Sequence, residues 1–175
     1  MSRIKKIRDY IENMETVKYV LLMACVGYAC SIILLNIVYF IKGVNFSQLG
    51  KSGYKNIFEE ILYAIVLAPL IETFIFQSLV FTVSRQFQWL KDREILTILI
   101  SATCFGLAHA IYNIYYAIYN IYYAISGFVV GIILAYSFSI YTKKKENEYI
   151  VVTLIHSFLN MISIIFSYTG LLLSH

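Results

Sequence analysis

Proline occurs once in this chain, at Pro69, and Asp, Glu, Lys and Arg together make up only 14% of its 175 residues. From Ile95 through Tyr141 none of those four residue types occurs at all. So little charge cannot cover the surface of a water-soluble domain, which excludes that class. The three cysteines, Cys25, Cys30 and Cys104, form no CxxC pair and no Cys/His metal spacing. A zinc ribbon or disulfide framework is therefore not expected, and they read as packing residues.

What the chain has instead is 60% hydrophobic residues and a mean hydropathy of +0.73. A bilayer core about 30 Å thick takes roughly 20 apolar residues per helix, and five segments qualify: Val17–Ile41, Ile57–Val83, Ile95–Ile111, Tyr123–Tyr141 and Tyr149–Tyr168. The expected fold is all-α, a polytopic membrane helical bundle of about five transmembrane helices with a cytoplasmic N-terminus. Residues 1–16 read as a short interfacial segment in which Arg3, Lys5, Lys6 and Arg8 outnumber Asp9, Glu12 and Glu15. Residues 17–175 read as one transmembrane domain. The first apolar run is too long for a signal peptide and no small-residue cleavage site follows it, so it is expected to stay in the mature chain.

Orientation follows from the cations, because Lys and Arg flanking spans are retained on the cytoplasmic side. Of the 14, only Lys42, Lys51 and Lys55 fall on one side; the others, among them Arg85, Lys91, Arg93 and Lys143–Lys145, fall opposite. The net charge of +4 is thereby explained as topology, and no nucleic-acid partner is expected. Trp89, near Lys91 and Arg93, reads as an interfacial anchor, and Glu59 and Glu60 as first-turn carboxylates of the second span.

A polar side chain in mid-membrane costs at least ~2.5–3.5 kcal/mol when charged, so those that remain are candidates for function. They are Glu72, Thr73 and Gln77 in the second span, His109 in the third, and His156 and Asn160 in the fifth. At 1.5 Å rise per residue, Glu72 and Asn160 come about 16 Å from the cytoplasmic ends of their helices, His109 about 21 Å and His156 about 10 Å. Tilt absorbs such scatter. His156 and Asn160, at i and i+4, share one helix face. A single polar cluster on three helices is the economical reading. Interhelical glue, a proton relay, a general base and a metal site are all uses that such a set allows.

The heptapeptide IYNIYYA stands twice in succession, Ile111–Ala117 and Ile118–Ala124. Seven residues are two helical turns less about 20°, so one copy can be inserted with the flanking faces nearly in register. The tyrosines suit the outer interface, and Asn113 and Asn120 are the expected turn positions. The duplication is expected to be a tolerated extension. Gly127 and Gly131 form a GxxxG that lets helices approach, and Pro69 is expected to kink its span and free a carbonyl near the cluster.

APLIETFIFQ (Ala68–Gln77), FGLAH (Phe105–His109) and HSFLN (His156–Asn160) resemble the ordered motifs PxxEExxxR, FxxxH and HxxxN or HxxxD of the CPBP family, the CAAX-protease and bacteriocin-processing (Abi) intramembrane proteases. The resemblance covers about residues 57–168. It departs at Thr73, where the family has a second glutamate, and at Gln77, where it has arginine. Losing both together avoids an unpaired arginine in lipid, and Thr73 and Gln77, one turn apart, are expected to bond each other or a neighbouring helix. The resemblance implies an intramembrane endopeptidase, with Glu72 and His109 activating water and His156 and Asn160 stabilising the oxyanion. It also implies a peptide or membrane-protein substrate and a multi-pass location, and the high Ile, Tyr, Asn and Lys usage points to a bacterial plasma membrane. A catalytic Zn2+ held by Glu72, His109 and His156 is one form of such a site; HExxH is absent. A non-catalytic immunity or scaffold protein on the same fold is the alternative that Thr73 and Gln77 favour.

Overall fold

The computed structural model describes residues 3–42, 56–111 and 117–173, and no strand occurs among the described residues. Lys51, Lys55, Asn113 and His175 lie outside the described residues. In order the helices are α1 (Arg3–Glu12), α2 (Thr16–Lys42), α3 (Ile57–Ser84), α4 (Gln88–Lys91), α5 (Glu94–Ile111), α6 (Ala117–Lys144) and α7 (Glu148–Leu173). Five segments are long and apolar enough to cross a membrane: Thr16–Leu34, Ile57–Ser84, Glu94–Ile111, Ile121–Lys144 and Glu148–Thr169. They coincide with the expected spans to within a few residues, apart from the end of the first.

The outer faces of these helices carry exposed Ile71, Phe74, Leu107 and Phe166, side chains that only hydrocarbon solvates well. Inside, Tyr19, Leu134, Phe138, Val152 and Ile155 are buried where α2, α6 and α7 meet. Trp89 is exposed on α4 beside Lys91, as an interfacial anchor is. Asn56 caps α3, its side chain accepting from the Glu59 N–H at 2.9 Å.

One expectation about shape is corrected. Asn120 lies within α6, which starts at Ala117, and is not at a turn. One asparagine disfavours a helix by no more than about 0.7 kcal/mol, too little to end a run of apolar residues. The second span is also no uniform α-helix: Ile61–Leu67 and Thr73–Leu79 are π-helical, on either side of an α-helical Ala68–Glu72.

The third and fourth spans pack as a close hairpin because glycines remove the side chains between them. A Cβ at Gly106 would lie 2.7 Å from the Ala124 carbonyl oxygen and 2.9 Å from the Phe128 nitrogen, and one at Gly131 2.9 Å from the Ala102 Cα. Backbone cannot step aside. The GxxxG thus serves close approach, and Gly127, whose Cβ would meet the His109 side chain at 3.2 Å, leaves room for that histidine directly. At Gly27 the nearest obstacle is a Leu159 methyl, the far end of a flexible chain. Gly106→Ala is therefore expected to lower stability in detergent by about 1–3 kcal/mol, the scale of overpacking, and Gly27→Ala by less. Equal thermal shifts for the two variants would contradict this account of the hairpin.

Candidate functional site

α3 and α7 run antiparallel and are tied along their length. The Tyr168 hydroxyl donates to Glu60 at 2.8 Å, the Asn160 Nδ2 to the Ala64 carbonyl at 2.7 Å, and the Tyr149 hydroxyl to the Leu70 carbonyl at 3.0 Å. Close to these ties the His156 Nε2 stands 3.7 Å from a Glu72 carboxylate oxygen. That is beyond direct hydrogen-bond range and within ion-pair range. His156 is buried, and its Nδ1 has no hydrogen-bond partner among the described residues.

The Asn160 tie has a cause in the sequence. In the π-helical stretch the Ala68 N–H bonds the Tyr63 carbonyl, five residues back. The next carbonyl in that register, Ala64, looks to residue 69, a proline without an N–H. Pro69 therefore frees a carbonyl beside the cluster, as expected, and Asn160 supplies the missing donor. A carbonyl only accepts, so this bond also fixes which way the Asn160 amide points. Its second N–H and its oxygen remain for other partners.

His109 comes from α5. Its Nδ1 lies 2.9 Å from the Phe105 carbonyl oxygen, and since a carbonyl only accepts, Nδ1 carries the proton in that bond. The Phe105 ring sits between the two imidazoles, with centroids 4.4 Å from His109 and 5.5 Å from His156. Glu72, His109 and Asn160 together wall a cavity of about 700 Å³, whose other lining is two tyrosines, Tyr63 and Tyr123, and apolar side chains such as Leu67, Ile71 and Phe76. His109, His156 and Asn160 wall a second cavity, of about 420 Å³. The four expected site residues are thus brought together at one level of the bundle.

Thr73 and Gln77 behave differently from expectation. Both are fully buried, yet neither the Thr73 hydroxyl nor either Gln77 amide atom has a hydrogen-bond partner among the described residues. They lie in the π-helical Thr73–Leu79, whose wider turn breaks the α-helical stacking of residues four apart. As for a metal, among the described residues no three His, Cys, Asp or Glu side chains converge closely enough to hold an ion. Glu72, His109 and His156 do not fit a three-ligand set, and no step below is routed through zinc. Cys25, Cys30 and Cys104 are free thiols.

Several site residues were not anticipated. Phe105, the first residue of FGLAH, is the partition between the histidines. Tyr122 and Tyr123 of the second heptapeptide wall the smaller cavity, and Tyr123 the larger one too, so that copy belongs to the site. Ser163 and Ser167 line the smaller cavity as well. Their signal was present: His156, Asn160, Ser163 and Ser167 fall at i, i+4, i+7 and i+11, a polar stripe along one face of a mainly apolar helix.

Fold and site define a multi-pass membrane protein with an acid, two imidazoles and a carboxamide gathered between its helices. The family described as Type II CAAX prenyl endopeptidase Rce1-like matches residues 55–162, more than half of the chain, and the chain belongs to that family. This places it, at family level, among intramembrane proteases. Neither a curated protein nor a solved structure matches it.

The Pro69–Ala64–Asn160 account is open to a double-mutant cycle. Asn160→Leu strands the Ala64 carbonyl and is expected to destabilise by about 1–3 kcal/mol. In a Pro69→Ala background, residue 69 regains an N–H for that carbonyl and the same change is expected to have a smaller effect. Additive effects on thermal unfolding in detergent would show that the two residues are not linked.

Proposed function

We propose that this protein is an intramembrane endopeptidase that hydrolyses a peptide bond of a membrane-associated peptide or protein. The observation that carries the reading is the shared cavity wall of Glu72, His109 and Asn160, with His156 3.7 Å behind the Glu72 carboxylate. An amide needs an activated water and a donor where negative charge develops. Glu72 takes a proton from the water as it adds to the scissile carbonyl, and passes it to the departing amine. His109, in the wall of the same cavity, holds that water. The free N–H of Asn160 and the imidazole of His156 supply the donors for the oxyanion. The apolar walls of the larger cavity suit a substrate segment delivered from the bilayer, and a bacterial plasma membrane is the setting that the composition supports.

A second reading, a non-catalytic immunity or scaffold protein, draws on Thr73 and Gln77, which leave this chain without the family's second carboxylate and its arginine. Glu72→Gln and His109→Ala, assayed for processing of candidate peptides in cells, separate the two readings. Losing a general base typically removes a factor of about 10² to 10⁴, and Asn160→Ala about 10² to 10³ as a lost oxyanion donor. Immunity or signalling that persists unchanged in all three variants overturns the protease reading. Processing is also expected to survive a divalent-metal chelator. Loss restored by added zinc would move His156 from oxyanion donor to ligand.

A further inference from the structure

At the basic end of the bundle a cavity of about 350 Å³ lies between the end of α3, α4, the start of α5 and the end of α6. It shares no lining residue with either cavity at the Glu72 cluster. Buried Leu90 seats α4 against the bundle, while Phe87 and Trp89 beside it are exposed. Aromatic rings so placed favour the membrane–water interface, which sets the cavity at the depth of lipid headgroups.

Its lining is polar and mixed in sign. Ser84, Thr97 and Ser139 are buried and Thr142 partly so, which puts four hydroxyls in the wall. Three cations, Arg85, Lys91 and Lys143, stand there with two carboxylates, Asp92 and Glu94. One pair is already closed: Lys143 donates to Glu94 at 2.6 Å, and the Ser139 hydroxyl donates to the same carboxylate. The Arg85 guanidinium lies 3.5 Å from the Thr142 hydroxyl, and among the described residues neither Arg85 nor Lys91 has an ion-pair partner. Two cations therefore remain against one carboxylate, that of Asp92.

We propose that this cavity binds a phosphodiester carrying a small polyol, the chemistry of a glycerol-phosphate lipid headgroup or of its water-soluble counterpart. Basic pockets between transmembrane helices take anionic headgroups. Here Arg85 and Lys91 hold the phosphate, while Asp92 accepts from the polyol and the hydroxyls of Ser84, Thr97 and Thr142 complete its hydrogen bonds. The charge balance selects the diester. Its single negative charge matches the one positive charge left over, whereas a monoester, with nearly two charges, would face Asp92 and Glu94 with charge to spare. The site stands independently of the protease reading.

The test reads binding and does not need catalysis. The full chain, purified in a nonionic detergent, is titrated with phosphatidylglycerol, phosphatidic acid, phosphatidylcholine and glycerophosphoglycerol, and bound ligand is followed by native mass spectrometry. Phosphatidylglycerol is expected to bind more tightly than the other two lipids, and about fivefold more weakly to Arg85→Gln or Lys91→Gln. Thr97→Val keeps every charge and the side-chain shape, and is expected to weaken binding by about two- to tenfold. Lys145→Gln, which removes an exposed cation at the same end outside the cavity, is expected to leave binding unchanged. A preference for phosphatidic acid, equal losses in Lys145→Gln and Lys91→Gln, or full binding in Thr97→Val overturns the proposal in favour of general attraction to a basic surface. Glycerophosphoglycerol bound as tightly as the lipid supports the site with a soluble ligand; lipid bound without it supports the site with a membrane ligand; neither bound overturns it.

Discussion

A backbone carbonyl inside a bilayer has to be given a donor, because no water is there to supply one. In α3 the carbonyl of Ala64 loses its own to Pro69, and Asn160 of α7 donates at 2.7 Å. Few interactions in the molecule are as constrained. An unmet carbonyl there would cost about 1–3 kcal/mol or more, so α7 is held in one register against α3. Glu72, two turns further along α3, then meets His156, one turn back along α7.

The third component arrives by a different route. His109 is carried by α5, and α5 is pressed onto α6 where Gly106, Gly127 and Gly131 leave nothing between the backbones. Steric fit therefore sets one half of the site and a hydrogen bond sets the other. Phe105 joins them, its carbonyl holding the His109 Nδ1 and its ring lying between the imidazoles. The outcome is a cluster with a hydroxyl-lined chamber on one side and an apolar cavity on another, and His109, Tyr123 and Asn160 form part of both walls.

Much of this was legible in the sequence, and the reason is energetic. Lipid penalises every polar side chain, so Glu72, His109, His156 and Asn160 stand out against apolar neighbours, and their convergence on three helices could be read from depth alone. Span boundaries were legible for the same reason. The π-helical register of α3 was not, because it is a property of backbone pairing that side-chain hydropathy does not encode; only Pro69 hinted at it. That hidden register is also why Thr73 and Gln77 fail to stack. The serines of α7 were visible as a stripe but small enough to pass for packing residues. Tyr122 and Tyr123 were read as interfacial, since a duplicated segment beside a hairpin gives no sign that these two residues are helical and line the cavities.

The central claim is that α3 and α7 are registered so that the Glu72 carboxylate faces the His156 imidazole. The most direct test is a magnetic-resonance measurement of dipolar coupling between isotope-labelled glutamate carboxyl carbons and histidine ring nitrogens, with the protein in lipid bilayers and His156→Ala used to assign the signal. A coupling that corresponds to a contact near 3.7 Å, and that disappears in His156→Ala, is the predicted result. No glutamate coupling to His156 would contradict the account.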